Sequence, residues 1–482
     1  FGTVGIWEAT IYRKLMKDKI VPPLKGAPGM RAGDLVGGYV KDPKVGMHPW
    51  VVSFDLNSLY PHLMLQYNMS PETYMDGDRE YVTQDMVLKG EYQNDRDGVS
   101  VAANGVCFSN KKLGIIPEII DEYYGNRSVI KKQMIAAEQQ FEIEKDPAEL
   151  KRLKREINQL HNSQMSIKIA MNSLYGATAN VYFLYYINEM AEAITTSGQL
   201  SIRYAQKSVN DYLNKILGTD GVDYIIYIDT DSIYVDFGPL ITEVFGTTDI
   251  DKDKGEEFLD RVCSTKIEQI IEDGYEKLAS DLGTYRNAMV MKREKIAHRG
   301  IFVAKKRYIL NTLNSEGVHY DTPKIAVTGL ESVRSSTPEI CREKLKKCFE
   351  VIMNTDESET QKFIRDFREE FRKLDPIAIA KTSGVSELKK YQEKGSIYRK
   401  GTPMHVRGSL MYNHFLKEKG LDKKFETIQG GDKVKLLYLK VPNPIRENAI
   451  SVPGLLPKQL GLHDYIDTEL QFDKVFLSPI QS

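Results

Sequence analysis

Residues 224–235 read Tyr-Ile-Ile-Tyr-Ile-Asp-Thr-Asp-Ser-Ile-Tyr-Val, with Asp229 and Asp231 at the centre. β-Branched and aromatic residues flank a short polar run, the pattern of strand, tight turn, strand. Carboxylates two residues apart in a turn repel each other unless a cation intervenes, so the hairpin points to metal; taken alone, a solvated acidic turn accounts for it equally well. Upstream, Trp50-Val-Val-Ser-Phe-Asp55-Leu56 is an apolar run that ends in a carboxylate and is followed by Asn57-Ser58-Leu59-Tyr60-Pro61. This predicts a second strand that leads into a helix. The first N–H groups of that helix, at Ser58, Leu59 and Tyr60, can hold a phosphate, and the Tyr60 ring can lie beneath a sugar. Mg²⁺ takes only one or two protein carboxylates and completes its shell from water and phosphate. One Asp from each run, side by side in a sheet, suits two-metal in-line phosphoryl displacement.

Between these runs, residues 117–175 predict two long charged helices broken at Asp146-Pro147. On the second, Lys168, Asn172 and Tyr175 fall at i, i+4 and i+7 and share one face. A cation, an amide and an aromatic on one stripe suit a triphosphate and a stacked base. Arg127 and Lys131, four apart on the first helix, can extend the same clamp, although each basic residue alone is more often a solvated surface charge. Lys305-Lys306-Arg307-Tyr308 precedes a strand-like apolar run. In a strand its side chains would alternate, so only part of this cluster can meet a duplex backbone. Past Gly329 the pattern turns helical. Thr337-Pro338-Glu339 reads as a hydroxyl-capped helix start with Pro at its first position. Phe363, Ile364, Phe367, Phe371 and Leu374 repeat at helical spacing and predict core.

Length and composition set the frame for these motifs. A chain of 482 residues exceeds one ordinary domain, and 41% hydrophobic with 28% charged residues gives a globular protein with ample core material. No apolar run is long enough to span a membrane. The start, Phe1-Gly2-Thr3, has no signal-peptide pattern, which predicts a cytoplasmic protein seen as a fragment. The net charge of −1 gives no support to polyanion binding, so any nucleic-acid argument rests on local residues. Cys107, Cys263, Cys341 and Cys348 form no CxxC pair and predict reduced, buried thiols rather than a zinc site. Residues 20–49, rich in Gly and Pro, read as a connecting segment.

Taken in order, DLNSLYP (55–61), KIAMNSLYG (168–176), YIDTDS (227–232) and KKRY (305–308) resemble the motifs of family B (α-like) DNA polymerases. Lys292-Arg293-Glu294 and Gly329-Leu330-Glu331 match later elements of that family. The spacing between motifs, and the stretch from His405 to Asn413, resemble the polymerases of T-even-type bacteriophages. The resemblance implies an α/β (α+β) right-hand polymerase fold with an antiparallel-sheet palm, helical-hairpin fingers and a mainly helical thumb. The expected division is a connecting segment at 1–49, palm at 50–113 and 181–329, fingers at 114–180 and thumb at 330–482. Two Mg²⁺ ions, replaceable by Mn²⁺, are expected on Asp55 and Asp231, with the Leu56 carbonyl assisting and Asp229 beside them. Arg127, Lys131, Lys168 and Asn172 are expected to bind the incoming dNTP with the N–H groups of Ser58, Leu59 and Tyr60. Tyr60 is also the expected gate against a ribose 2′-OH, and Tyr175 and Gly176 would pack on the nascent base pair. Lys305, Lys306 and Tyr308 would touch the primer–template, and Glu294 would be a further palm carboxylate.

Some positions depart from the family pattern. His62 replaces a Ser and is expected on a helix surface. Ile228 replaces a small residue before Asp229, and Thr178-Ala179 replaces a Leu-Gly pair. No motif of the family's proofreading exonuclease is present, and neither is the C-terminal tail by which relatives engage a sliding clamp. Synthesis without editing is therefore expected, with a separate exonuclease chain and a clamp as the further partners the family would supply. Two rival readings remain at this stage. An Asp-x-Asp turn also serves nucleotide-sugar glycosyltransferases, but that leaves Asp55, Tyr60 and the Lys168–Asn172 stripe unexplained. A DNA-binding scaffold derived from a polymerase should have lost its metal carboxylates, whereas both are retained.

Overall fold

The computed structural model describes residues 2–24, 35–393 and 395–481. The middle of the expected connecting segment, Pro28-Gly29 included, lies outside the described residues. The chain divides into two compact units, one of Phe1–Lys305 with Thr312–Lys324, the other of Lys306–Asn311 with Ile325–Ser482.

The first unit opens with α1 (Thr3–Lys17), β1 (Gly46–Leu56), α2 (Leu59–Gln66), β2 (Tyr74–Arg79), α3 (Gln84–Lys89), β3 (Val99–Val101) and β4 (Val106–Ser109). The helical hairpin α4 (Ile115–Ile143) and α5 (Pro147–Thr178) follows, then α6 (Asn188–Leu217), β5 (Ile225–Asp229), β6 (Ser232–Asp236), α7 (Gly238–Phe245), α8 (Lys252–Val262) and α9 (Glu268–Asp281). β7 (Met291–Ala304), β8 (Arg307–Ser315) and β9 (Val318–Thr328) complete a six-stranded sheet of order β5-β6-β1-β7-β8-β9. Helix α1 falls in what the sequence suggested was a connector. Trp7, Ile11 and Leu15, spaced at four, are buried along one of its faces.

The break between α4 and α5 has a local cause. Asp146 caps α5 by accepting hydrogen bonds from the N–H groups of Ala148 and Glu149, and Pro147 occupies the first turn, where no N–H is required. β1 is central in its sheet and pairs antiparallel with β6 on one side and β7 on the other. A strand covered on both faces should read as a continuous apolar run rather than an alternation, and Trp50 to Phe54 are all buried. Helix α6 lies against α2, and Gly198 makes the close approach possible. A Cβ there would stand 3.3 Å from both Leu59 and Tyr60, tighter than ordinary packing. The start of α2 is thus held between the central strand and a long buried helix. Residues 39–44 run along the free edge of β5, where Lys41 N–H donates to Ile228 O and Lys44 N–H to Ile226 O.

The second unit contains α10 (Glu339–Asn354), α11 (Glu357–Phe371), β10 (Lys381–Gly384), α12 (Met404–Glu418), β11 (Lys433–Tyr438), β12 (Ala449–Val452), α13 (Thr468–Phe472) and α14 (Ser478–Gln481). Helices predominate, but a three-stranded sheet, β10-β11-β12, packs under α12, and the helical reading past Gly329 had no place for it. Its strands are four to six residues long, too short to show a period. Phe367 and Phe371 are buried as expected and stack with Phe472 and Phe476. The predicted start of α10 is off by one position: Pro338 itself is the N-cap, and no side-chain hydroxyl caps the helix. All four cysteines are buried and unpaired. Among the described residues no helix is long and apolar enough to cross a membrane.

Candidate active site

Asp55 sits near the end of β1, opposite Ser232 on β6, and the Leu56 N–H donates to the Asp231 carbonyl at 2.8 Å. The two aspartates that the sequence separates by 176 positions are thus brought together, Asp55 on β1 and Asp231 in the turn just before β6. The turn between β5 and β6 is tight, with Thr230 at φ +64° and its N–H donating to Tyr39 O. Asp229 is the last residue of β5, and Ile228 before it is fully buried in the core beneath the turn. On the other side of β1, Glu294 of β7 accepts a hydrogen bond from Ser53 Oγ at 3.2 Å and one from Lys295 Nζ at 2.5 Å.

The electrostatics show what these carboxylates lack. Burial, then Asp231, then Glu294 push the Asp55 carboxyl up to about 8, with Lys168 and Lys295 only partly offsetting. Burial also raises Asp231, with Asp229 and Glu294 adding and Lys168 opposing. Partly buried acids that raise one another's pKa form a site short of positive charge. Hard carboxylate oxygens of this kind fit Mg²⁺ or Mn²⁺.

Positive charge lines the cleft from both sides. A cavity of about 370 Å³ is lined by Asp55, Lys292, Arg293 and Glu294 from the sheet, by Asn57 just past β1, and by Tyr124, Arg127, Ser128, Lys131 and Lys132 from α4. Arg127 is only 6% exposed, and its Nε donates to Gln164 Oε1 of α5 at 3.3 Å. Burial lowers its pKa, while Tyr124, Glu316 and Asp55 raise it. The charge of Lys168 on α5 lowers the pKa of both Asp55 and Asp231, which puts it within electrostatic reach of the pair. Asn172, four residues on, is exposed.

The Tyr60 and Tyr175 rings meet with centroids 4.6 Å apart, tilted by 43°. Burial pushes the Tyr60 hydroxyl up to about 12, with Tyr175 and Asp231 contributing, so the ring lies close to the carboxylates and stays neutral. At the head of α2, Ser58 is held at φ +50° with its Oγ buried and without a hydrogen-bond partner, and Leu59 is buried behind it. His62 departs from expectation. It is 3% exposed rather than on a surface, its Nδ1 lies 3.1 Å from Ser58 O, and its ring stands edge-on to Tyr124 at 4.2 Å. Burial lowers it to about 4, so it is a neutral packing residue behind the cleft.

Other expected residues lie elsewhere. Gly176, near the end of α5, is exposed with open space around its Cα. Lys305 pairs with Asp42 at 3.1 Å. Lys305 and Lys306 form the turn between β7 and β8, with Lys306 at φ +61°, so the expected alternation of strand side chains applies only from Arg307 onward. Lys306 and Tyr308, the latter 9% exposed, belong to the second unit.

Sequence reasoning missed Glu316, which lines the cleft and pairs with Lys131 at 2.5 Å. It also gave no hint of Asp253, Glu256 and His319, whose ligand-type atoms gather within 4.8 Å. That second group is a polar cluster on α8 and β9 in which only Glu256 is buried. Glu256 already accepts from Asn314 Nδ2 at 2.9 Å and meets His319 Nδ1 at 2.8 Å.

Comparison with known proteins agrees with this geometry. Residues 8–252 match the family model for DNA polymerase family B. The chain is 30% identical over 532 aligned positions to the DNA-directed DNA polymerase of Escherichia phage RB69, covering 100% of this chain and 58% of that protein. It is likewise 30% identical to that of Enterobacteria phage T4, covering 99% of this chain and 58% of the relative. A DNA polymerase of Pyrococcus glycovorans is 27% identical over 92% of this chain and 46% of its own length. The chain thus spans somewhat more than half the length of its phage relatives. With a family match over more than half its residues, this chain belongs to DNA polymerase family B.

Proposed function

We propose that the chain carries out template-directed DNA synthesis, adding deoxynucleoside monophosphates to a primer 3′-OH. The observation that carries this reading is the juxtaposition of Asp55 at the end of β1 and Asp231 in the turn before β6, with Arg127 and Lys131 lining the same cleft as Asp55 and Lys168 near enough to act on both carboxylates. An anionic floor beneath a cationic wall is what a magnesium nucleotide requires.

Asp55 and Asp231 would hold two Mg²⁺ ions, with the Leu56 carbonyl as a further oxygen donor and Asp229 alongside. When bound, such ions lower the pKa of a primer hydroxyl and neutralise charge on the transferring phosphoryl group. The chain's own residues do the rest. Arg127, Lys131 and Lys168 bind the triphosphate and orient it for in-line attack, with Asn172 flanking them on α5. The N–H groups of Ser58, Leu59 and Tyr60 at the head of α2 give phosphate oxygens donors that need no reorganisation. The Tyr60 ring, backed by Tyr175 and Gly198, is a rigid wall at the position of the sugar, which suits exclusion of a 2′-OH. Glu294, Lys305, Lys306 and Tyr308 are assigned to the primer–template side. Base pairing supplies the sequence information, so the protein is indifferent to template sequence. A phage origin, action in a host-cell cytoplasm, and partnership with a separate exonuclease and a clamp belong to the same reading.

The test is extension of a labelled primer on a longer DNA template with Mg²⁺ and all four dNTPs, beside Asp231→Asn. Template-dependent extension by the parent alone supports the reading. A parent that binds primer–template and never extends it refutes it for this chain.

A further inference from the structure

The loop joining β8 to β9 is the two-residue pair Glu316-Gly317, at φ +50° and +87°. Both positions of a type I′ hairpin loop require positive φ, and Asn, Asp or Gly is the favoured first residue. Glu there is held in a left-handed conformation that L-residues with a Cβ adopt only at a steric cost. The surroundings keep it in place. Its N–H donates to Glu294 O at 2.6 Å, and the Gly317 N–H donates to Asn314 Oδ1 at 3.0 Å. What the strained position delivers is a carboxylate on Lys131 at 2.5 Å, inside the cleft.

The contact is the first of three. Further along α4, Gln139 Nε2 donates to Gly317 O at 3.2 Å, and Glu142 accepts from Lys324 Nζ of β9 at 2.8 Å. From residue 131 to 142 these contacts run along about 16 Å of helix, at 1.5 Å per residue. They fasten the long helix of the hairpin to the β8–β9 arm. Only the first engages a residue assigned to triphosphate binding. Lys131 cannot hold Glu316 in this geometry and also neutralise a phosphate.

We propose that Glu316 is an internal competitor for the triphosphate, latching Lys131 to the β8–β9 turn until a nucleotide displaces it. This rests on the polymerase reading and adds to it a residue that sets nucleotide affinity. A nucleotide must repay the broken ion pair before it gains Lys131, so the latch raises the apparent Kd of every nucleotide by the same factor. Lys131 and Glu316 are 25% and 33% exposed, so water screens the pair and its worth is modest.

The test uses the full chain with Glu316→Asn, which suits the turn better than Glu and removes the charge, and with Glu316→Gln, each alone and combined with Lys131→Met. Single-nucleotide incorporation gives apparent Kd for dNTP and maximal rate separately. Removing the carboxylate is expected to tighten apparent Kd by about two- to fivefold, as for a partly screened ion pair, with the change falling on Kd rather than on rate. In the Lys131→Met background the tightening should vanish. An unchanged or weaker Kd in Glu316→Asn overturns the proposal, and so does an equal tightening without Lys131. Binding is also titrated by fluorescence on a primer that ends in a dideoxynucleotide, where no chemistry is needed. A Glu316-dependent Kd in a chain that never extends a primer refutes the polymerase reading and keeps the latch. Robust extension with binding indifferent to Glu316 does the reverse.

Discussion

Replacing Asp55 with Asn should make the metal-free protein more stable near neutral pH, although it removes a residue central to the site. The Asp55 carboxyl is raised from an ordinary 3.8 to about 8 by burial, Asp231 and Glu294. Its folded-state pKa lies above its unfolded one, so folding takes up a proton. Stability is unpenalised below the ordinary value and falls as pH rises toward 8. At about 1.4 kcal/mol per unit, the cost at pH 7 would reach roughly 4 kcal/mol in a sealed interior. Asp55 still opens onto the cleft and is coupled to Asp231, so water and proton sharing should reduce this to about 1–3 kcal/mol. For a chain of this size that corresponds to a melting temperature about 1–3 °C higher for Asp55→Asn at pH 7 in a chelator. The gain should shrink near pH 4.5, where the unfolded carboxylate is itself partly protonated. Added Mg²⁺ should reverse the order, because the parent alone gains binding energy. Thermal melts at two pH values, with and without Mg²⁺, decide it. A variant that melts no higher than the parent at pH 7 in chelator, or a gain equal at both pH values, refutes the reasoning.

Other outcomes follow from the same geometry. Asp231→Asn should reduce primer extension by about a thousandfold or more while leaving primer–template affinity in a gel-shift assay within about twofold, since what is lost acts on the reacting phosphate. Lys168→Met should raise KM for dNTP by about tenfold or more in steady-state kinetics, because a charge-assisted phosphate contact is removed beside uncompensated carboxylates. Gly255→Ala should destabilise the fold by about 1–3 kcal/mol in chemical denaturation, since its Cβ would lie 2.1 Å from the fully buried Trp50 ring. All four thiols should resist an aromatic disulfide reagent until the chain is unfolded. Burial alone raises Cys341 to about 12 and Cys348 to about 11, leaving almost no thiolate at neutral pH.

The sequence made the site legible because each part is a local pattern. Trp50–Phe54 is a fully buried strand and reads as one, and the β5–β6 hairpin shows its turn by an acidic, hydroxyl-rich interruption between apolar runs. Asp146-Pro147 marks the head of α5 by the chemistry of its cap. What escaped the sequence depends on partners far along the chain. His62 looked like a surface helix residue because nothing nearby announces Tyr124, 62 positions later, against which it is buried. Ser315-Glu316-Gly317 is a common turn until Lys131 is found beside it, 185 positions away in sequence. Helix α1 was obscured by its Pro- and Gly-rich neighbours, and the short strands β10 to β12 by their length.

The central place of β1 also bears on how the protein is made. Its partners, β6 and β7, begin 176 and 235 residues after the strand ends. At about 5–20 residues per second, a ribosome needs roughly ten to thirty-five seconds to deliver the first of them. For that interval a mostly apolar segment has emerged before either of the strands it pairs with. The chain must therefore shield residues 50–54 early in synthesis, with its own helices or with a chaperone. Slower elongation between residues 56 and 232 would lengthen the time during which nascent chains can aggregate.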